Sequence, residues 1–298
     1  MFKRNKSLMR QGWPVCIVCG LLLIFTALFC YYYYRWRDLW AEMEPIPIYK
    51  IPNHHDDSLR IAIIGDSWAC AYYTERYDTL LQSLLNRLVN RPVVCRSSGI
   101  GGAKTREVYQ HLFSDEAVGS REVMLHGADY CIIFAGINDA HANLGVSQFL
   151  YYYQLILNLM LQNNVRPVVI EIPDVNLFKV YGQKPMKDLA GDFLKSCMTR
   201  CSMYNVGGYR EALKNKILYD SLTDDVLYIG ADCWNGSSSQ IDTALFYYDE
   251  VHLNEIGYMR LNSCIAKEIA LDLKNMGDTA FLNKPVDKNP KDDTDCHH

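Results

Sequence analysis

The sequence predicts an α/β fold: a three-layer sandwich around a mostly parallel five-stranded sheet, preceded by one transmembrane helix. Three observations carry this. Five short runs rich in β-branched residues are separated by longer stretches with helical spacing. The runs are apolar along most of their length, the pattern of strands covered on both faces by crossover helices. And from Gln11 to Tyr34 the chain carries no charged side chain.

The apolar segment comes first. Trp13 to Tyr34 is 22 residues, which as a helix spans roughly 33 Å, about the thickness of a bilayer's hydrocarbon core. Trp13 sits at one rim, and Tyr31 to Tyr34 with Trp36 at the other, as an interfacial aromatic belt requires. A cleaved leader would end in a small-x-small site. This run ends in Leu28-Phe29-Cys30-Tyr31-Tyr32, so an uncleaved anchor is expected. Residues 1–37 hold Lys3, Arg4, Lys6, Arg10, Arg35 and Arg37 and no acid. Four bases precede the span, which predicts a cytoplasmic N-terminus and an exported body. The expected organisation is a cytoplasmic N-terminus over 1–12, an anchor over 13–34, a linker over 35–59, a folded α/β domain over 60–277 and a disordered tail over 278–298. Pro45, Pro47 and Pro52 make the linker an extended tether. Within it, His54-His55-Asp56-Asp57 reads as solvated polar chain.

Arg60–Gly65 is the first strand, and Leu80, Leu81, Leu84, Leu85 and Leu88 mark a helix over 70–90. Strands follow at 92–95, 129–134, 166–172 and 226–229. Helices are expected at 103–118, 146–163, 186–217 and 254–275. In such sheets ligands gather beyond the carboxyl ends of the strands. Three unusual segments lie there: Gly65-Asp66-Ser67, Ser98-Gly-Ile-Gly-Gly102 and Gly136-Ile-Asn138-Asp139.

Composition excludes several classes. With 298 residues, 21% charged and net charge −4, the chain is neither disordered nor low in complexity. A pI near 6.1 offers nucleic acid no partner. The average hides an asymmetry, +6 over residues 1–37 against −10 beyond. There is no G-x-G-x-x-G and no G-x-x-x-x-G-K-[ST], so nucleotide cofactors have no support and no cofactor is expected.

Taken in order, Gly65-Asp66-Ser67, Gly102, Gly136-x-Asn138-Asp139 and Asp249-x-x-His252 resemble the SGNH (GDSL-type) hydrolase family over roughly residues 60–275. Ser97 stands where that family's second block often begins with Asn. The resemblance implies a flavodoxin-like three-layer sandwich and acyl-ester chemistry. Ser67 is then the nucleophile, His252 the general base and Asp249 the group that holds the imidazole. The backbone N–H groups of Ser67 and Gly102 and the Asn138 amide would form the oxyanion hole. Ala69 rules out the G-x-S-x-G elbow. Asp66 and Asp139 read as loop-structuring residues. Trp68, His141 and Trp234 are candidate substrate contacts, each also readable as packing or solvated loop.

Of eleven Cys, Cys70, Cys95 and Cys131 lie in apolar segments and read as small core side chains. Cys197 and Cys201 have helical spacing but no second ligand pair, so no metal is expected. The disulfide pattern is left open.

The function implied is a membrane-anchored extracytoplasmic serine esterase acting on acyl groups, above all O-acetyl, of a carbohydrate or envelope glycan. A bacterial inner membrane and a periplasmic domain are the expected setting, with an acylated small molecule or glycan as partner. An O-acyltransferase on an envelope polymer, a lipase or lysophospholipase, and a non-catalytic glycan-binding domain are the alternatives. Oligomeric state is not legible.

Overall fold

A computed structural model describes residues 6–115, 119–220 and 222–277, with side chains from Pro14 onward. Five strands form one sheet: β1 (Leu59–Gly65), β2 (Val93–Gly99), β3 (Tyr130–Phe134), β4 (Arg166–Ile170) and β5 (Leu227–Ile229). Their order is β2-β1-β3-β4-β5, and every pairing is parallel. This is the expected α/β sandwich of flavodoxin-like order, whose switch point lies between β1 and β3. All residues of β3 are buried, as are all of β1 except Arg60. β2, at the edge, alternates buried and exposed over its first four residues. That alternation explains why only its apolar start stood out in the sequence.

Helices cover both faces: α2 (Ser67–Thr74), α3 (Tyr77–Leu88), α4 (Thr105–His111), α5 (Ser120–Leu125), α6 (Ile137–Ala142), α7 (Val146–Leu161), α8 (Leu177–Tyr181), α9 (Met186–Thr199), α10 (Val206–Tyr219) and α11 (Glu255–Asn275). Two expected helices are corrected and a third stretch divides in two. The one expected over 70–90 breaks at Arg76, whose φ of 61° lies in the left-handed region, so α2 and α3 pack in different directions. The helical material expected over 186–217 forms two helices, α9 and α10, parted after Arg200, φ 54°. The 103–118 helix ends at His111, and its last three residues lie outside the described set. The short α6 and α8 carry too few residues for a periodic signal.

The N-terminal helix α1 runs Lys6–Trp40. Its stretch Pro14–Trp40 is long enough to cross a membrane, and its most apolar 18-residue window has a mean hydropathy of 2.4 with no residue buried. The helix continues past the expected end at residue 34. The expected tail, 278–298, and residues 1–5 lie outside the described residues.

Residues 41–54 form no helix or strand, and they are bound to the body. Ile51 is buried, and its N–H donates to Asn163 Oδ1 at 2.8 Å while Asn163 Nδ2 donates to Tyr49 O at 3.1 Å. The hydroxyls of Tyr109 and Tyr152 accept from Ile46 N and Met43 N. His54 is corrected too: its Nε2 lies 3.1 Å from Asp129 and its Nδ1 3.0 Å from Asp56, with 13% of its side chain exposed. It is a packed hydrogen-bond partner of Asp56 and Asp129 rather than solvated chain.

Among the described residues one disulfide joins Cys233 to Cys264 on α11, with Cα atoms 6.0 Å apart. Cys95 and Cys131 are buried free thiols, and burial pushes both well above the usual thiol range.

Candidate active site

Three loops leave the carboxyl ends of β1, β2 and β3 side by side because the register aligns Gly65 with Gly99 and Phe134. Gly65 cannot be anything larger: at φ 147° an added Cβ would meet Phe134 O at 2.0 Å. Main-chain bonds then bind the loops together, Asp66 N to Phe134 O at 3.0 Å and Ile100 N to Gly65 O at 3.0 Å.

Ser67 opens α2. Asp66 caps the helix, its Oδ1 accepting from Trp68 N at 3.0 Å. The first N–H groups of a helix have no acceptor within it and carry its positive end. The Ser67 N–H is one of these. Ser67 Oγ lies 3.1 Å from His252 Nε2, and His252 Nδ1 lies 2.6 Å from Asp249 Oδ2. The other carboxylate oxygen of Asp249 accepts from the N–H groups of Val251 and His252, at 2.9 and 3.0 Å. Burial opposes ionisation of Asp249, but these bonds outweigh it and hold the carboxyl below its ordinary range. An ionised Asp249 fixes Nδ1 as the protonated nitrogen and leaves Nε2 free to accept from Ser67.

The turn that carries Asp249 and His252 is held from three sides. An isolated bridge joins Phe246 to Leu253, and Tyr247 N donates to His252 O at 2.8 Å. Trp68 Nε1 donates to Val251 O at 3.1 Å. Lys179 of α8 pairs with Glu250.

Asn138 lies on α6. Its Nδ2 donates to Ala103 O at 3.0 Å and lies 3.5 Å from Asp66 Oδ2. Next to it, Asp139 Oδ2 accepts from both Thr105 N, at 2.9 Å, and Thr105 Oγ1, at 2.8 Å. Asp139 thereby latches the β3 loop to the start of α4. Gly102 sits in the exposed turn before α4 with φ 77°, and an added Cβ there would meet nothing within 4 Å, so its backbone is open to a ligand. Burial pushes the Asp139 carboxyl up to about 6. It pushes Asp66 up to about 7, against the pull of the Trp68 N–H.

Two expected substrate contacts are corrected. Trp68 is fully buried and Trp234 is 2% exposed, their rings 5.8 Å apart and T-shaped beneath the His252 turn. Neither offers a face to a ligand; Trp68 is a strut for the turn. Their side chains point down because α2 and the 231–246 segment pack on Phe134 and Phe246, which spacing alone does not disclose. His141, one helical turn after Asn138, is half-buried and stacks on Tyr181 at 3.5 Å. Lys184 Nζ lies 3.2 Å from its Nε2. Burial and the Lys184 charge push the imidazole down to about 4, so it is neutral near pH 7. Tyr181, Lys184 and Lys179 were not legible in the sequence. The one available signal was Asn176, which caps α8 by accepting from Lys179 N.

Among the described residues no three His, Cys, Asp or Glu side chains gather as a metal-binding set. The site brings together a hydroxyl, an imidazole to take its proton, a carboxylate behind it and open backbone donors nearby, the parts acyl transfer requires.

Among solved structures the chain is similar to an acetylxylan esterase from Geobacillus stearothermophilus, at 15% identity and a TM-score of 0.50, covering 74% of this chain and 96% of that one. It is also similar to a psychrotrophic esterase from a Pseudoalteromonas species (14%, TM-score 0.47, 74% and 98% covered) and to a lipase/acylhydrolase from Enterococcus faecalis (15%, TM-score 0.46, 71% and 95% covered). No curated protein matches the chain. Residues 63–260, from within β1 to the start of α11, match the GDSL-like lipase/acylhydrolase family. With that match spanning the three strand-end loops and the Asp249–His252 turn, the chain belongs to the GDSL-like lipase/acylhydrolase family and is an ester hydrolase.

Proposed function

We propose that Ser67, His252 and Asp249 are a catalytic triad that hydrolyses acyl esters, O-acetyl groups on a carbohydrate above all, and that α1 anchors the enzyme with its catalytic domain outside the cytoplasm. The observation that carries the chemistry is the hydrogen-bond chain from Ser67 Oγ through His252 to Asp249, 3.1 and 2.6 Å long. Ser67 Oγ attacks the acyl carbonyl carbon as His252 Nε2 takes its proton. The oxyanion is met by the N–H groups of Ser67 and Gly102 and by Asn138 Nδ2. His252 then returns the proton to the departing alcohol, and water repeats the sequence to release the acid.

Export is supported by the basic residues before the apolar span and by the Cys233–Cys264 disulfide, a bond favoured in oxidising compartments. The carbohydrate is supported by export and by the family's acyl-ester chemistry. The test is hydrolysis of an aryl acetate and of an acetylated oligosaccharide by the detergent-solubilised full chain. Ser67→Ala is expected to lower the rate by at least about 10³-fold. Full activity in that variant would overturn the serine mechanism. Product formed only when a sugar acceptor is added would replace hydrolysis with acyl transfer.

A further inference from the structure

The last turns of α1 and the start of α9 flank a groove of about 560 Å³, open to solvent, that the proposed reaction does not use. Four cations line it, Arg35, Lys184, Lys187 and Lys195, against two carboxylates, Asp188 and Asp192. The body of the chain is strongly acidic, so this local excess of positive charge runs against the average. Asp192 is already spent: it takes Lys184 at 2.9 Å, Lys195 at 3.6 Å and the Tyr204 hydroxyl at 2.6 Å. Arg35 and Lys187 are both exposed, and Arg35 makes only a long contact, 3.4 Å, to Tyr31.

The aromatic wall of the groove is Tyr32 and Trp36, stacked at 4.7 Å, immediately after the apolar run. Lys195 Nζ stands 5.0 Å over the Trp36 ring, and α9 meets that ring at Gly191, where a Cβ would lie 3.7 Å away. Interfacial aromatics beside a cluster of cations match the chemistry of the bilayer surface, where headgroup phosphates lie level with Trp and Tyr. We propose that this groove binds the phosphate of an anionic phospholipid headgroup, so that the catalytic domain is seated on the membrane rather than swinging from its anchor. The proposal rests on α1 being an anchor. Lys184 joins the groove to the active-site side of the domain, since it also contacts His141, one turn from Asn138. A seated domain therefore presents that side close to the bilayer surface.

The test uses the full chain. Alkaline carbonate extraction of membranes first establishes whether it is integral. Native mass spectrometry of the detergent-purified chain is then titrated with phosphatidylglycerol, phosphatidylcholine and inorganic phosphate. Retention of phosphatidylglycerol at least ten-fold above phosphatidylcholine is expected. The double variant Arg35→Gln/Lys187→Gln, which changes two exposed side chains, is expected to lose at least five-fold of that retention with an unchanged circular dichroism spectrum. Ser67→Ala is expected to bind as the native chain does, which separates the groove from the esterase reading. Release of the chain by carbonate would overturn the anchor and the proposal together. An integral chain that holds both lipids equally, or a variant that binds as well as the native chain, would overturn the groove alone. Displacement of the lipid by millimolar inorganic phosphate would assign the site to a free anion and overturn the lipid.

Discussion

Asn138 donates one of its two amide hydrogens to Ala103 O, a bond that holds the group between the β2 and β3 loops. Losing one oxyanion donor typically lowers kcat about 10²–10³-fold. Asn138→Ala is expected to fall in that range at saturating aryl acetate, with an unchanged circular dichroism spectrum. A normal kcat would remove Asn138 from the reaction. Asp139, its neighbour, has a different signature. A buried carboxyl whose folded pKa of about 6 lies above its unfolded value binds more protons folded than unfolded. Its contribution to stability therefore falls as pH rises from about 4 to about 6. Asp139→Asn keeps an oxygen for Thr105 and removes the titration. The thermal midpoint of this variant, relative to the native chain, is expected to rise between pH 4 and pH 7. A difference that stays constant would show Asp139 ionised throughout. Ser67, Asp249 and His252 stood out in the sequence because each sits in a short local pattern. Tyr181 and Lys184 did not, since they reach His141 from about forty residues away and nothing local marks them.

Elements matter through what pins them. The Cys233–Cys264 bond closes a loop with a sequence separation of 31 and ties the segment beneath the His252 turn to α11. Chain entropy assigns such a loop roughly 3–4 kcal/mol. Cys233→Ala/Cys264→Ala is expected to lose about that much in denaturant unfolding, and reductant is expected to leave the double variant unchanged. The bound strap of residues 41–54 depends on Asn163, which pairs with it at Ile51 N and Tyr49 O. Asn163→Ala is expected to speed proteolytic cleavage within 41–54 several-fold in a timed digest. Equal cleavage rates would show that the apolar contact of Ile51 holds the strap alone. The positions of β1, β3 and β4 were legible because a buried strand is apolar over four or more consecutive residues. Helix ends were less so. Arg76 and Arg200 take left-handed backbone conformations that their residue type does not announce.

For the whole molecule, strand order decides where chemistry collects. With β1 between β2 and β3, the Ser67, Gly102 and Asn138 loops share one edge, and α11 follows the turn that brings His252 to them. The net charge of −4 conceals the cationic N-terminal segment and, on the folded surface, the groove between α1 and α9. By itself the sequence determined the α/β class, the apolar helix and the residues that mark the family, because strand burial, helix period and motif spacing are local properties of the chain. Only the tertiary structure decided that Trp68 and Trp234 face the core, that His54 and the strap are bound, and that Cys233 pairs with Cys264. Those outcomes depend on side chains far apart in sequence competing for the same buried space and the same hydrogen-bond partners.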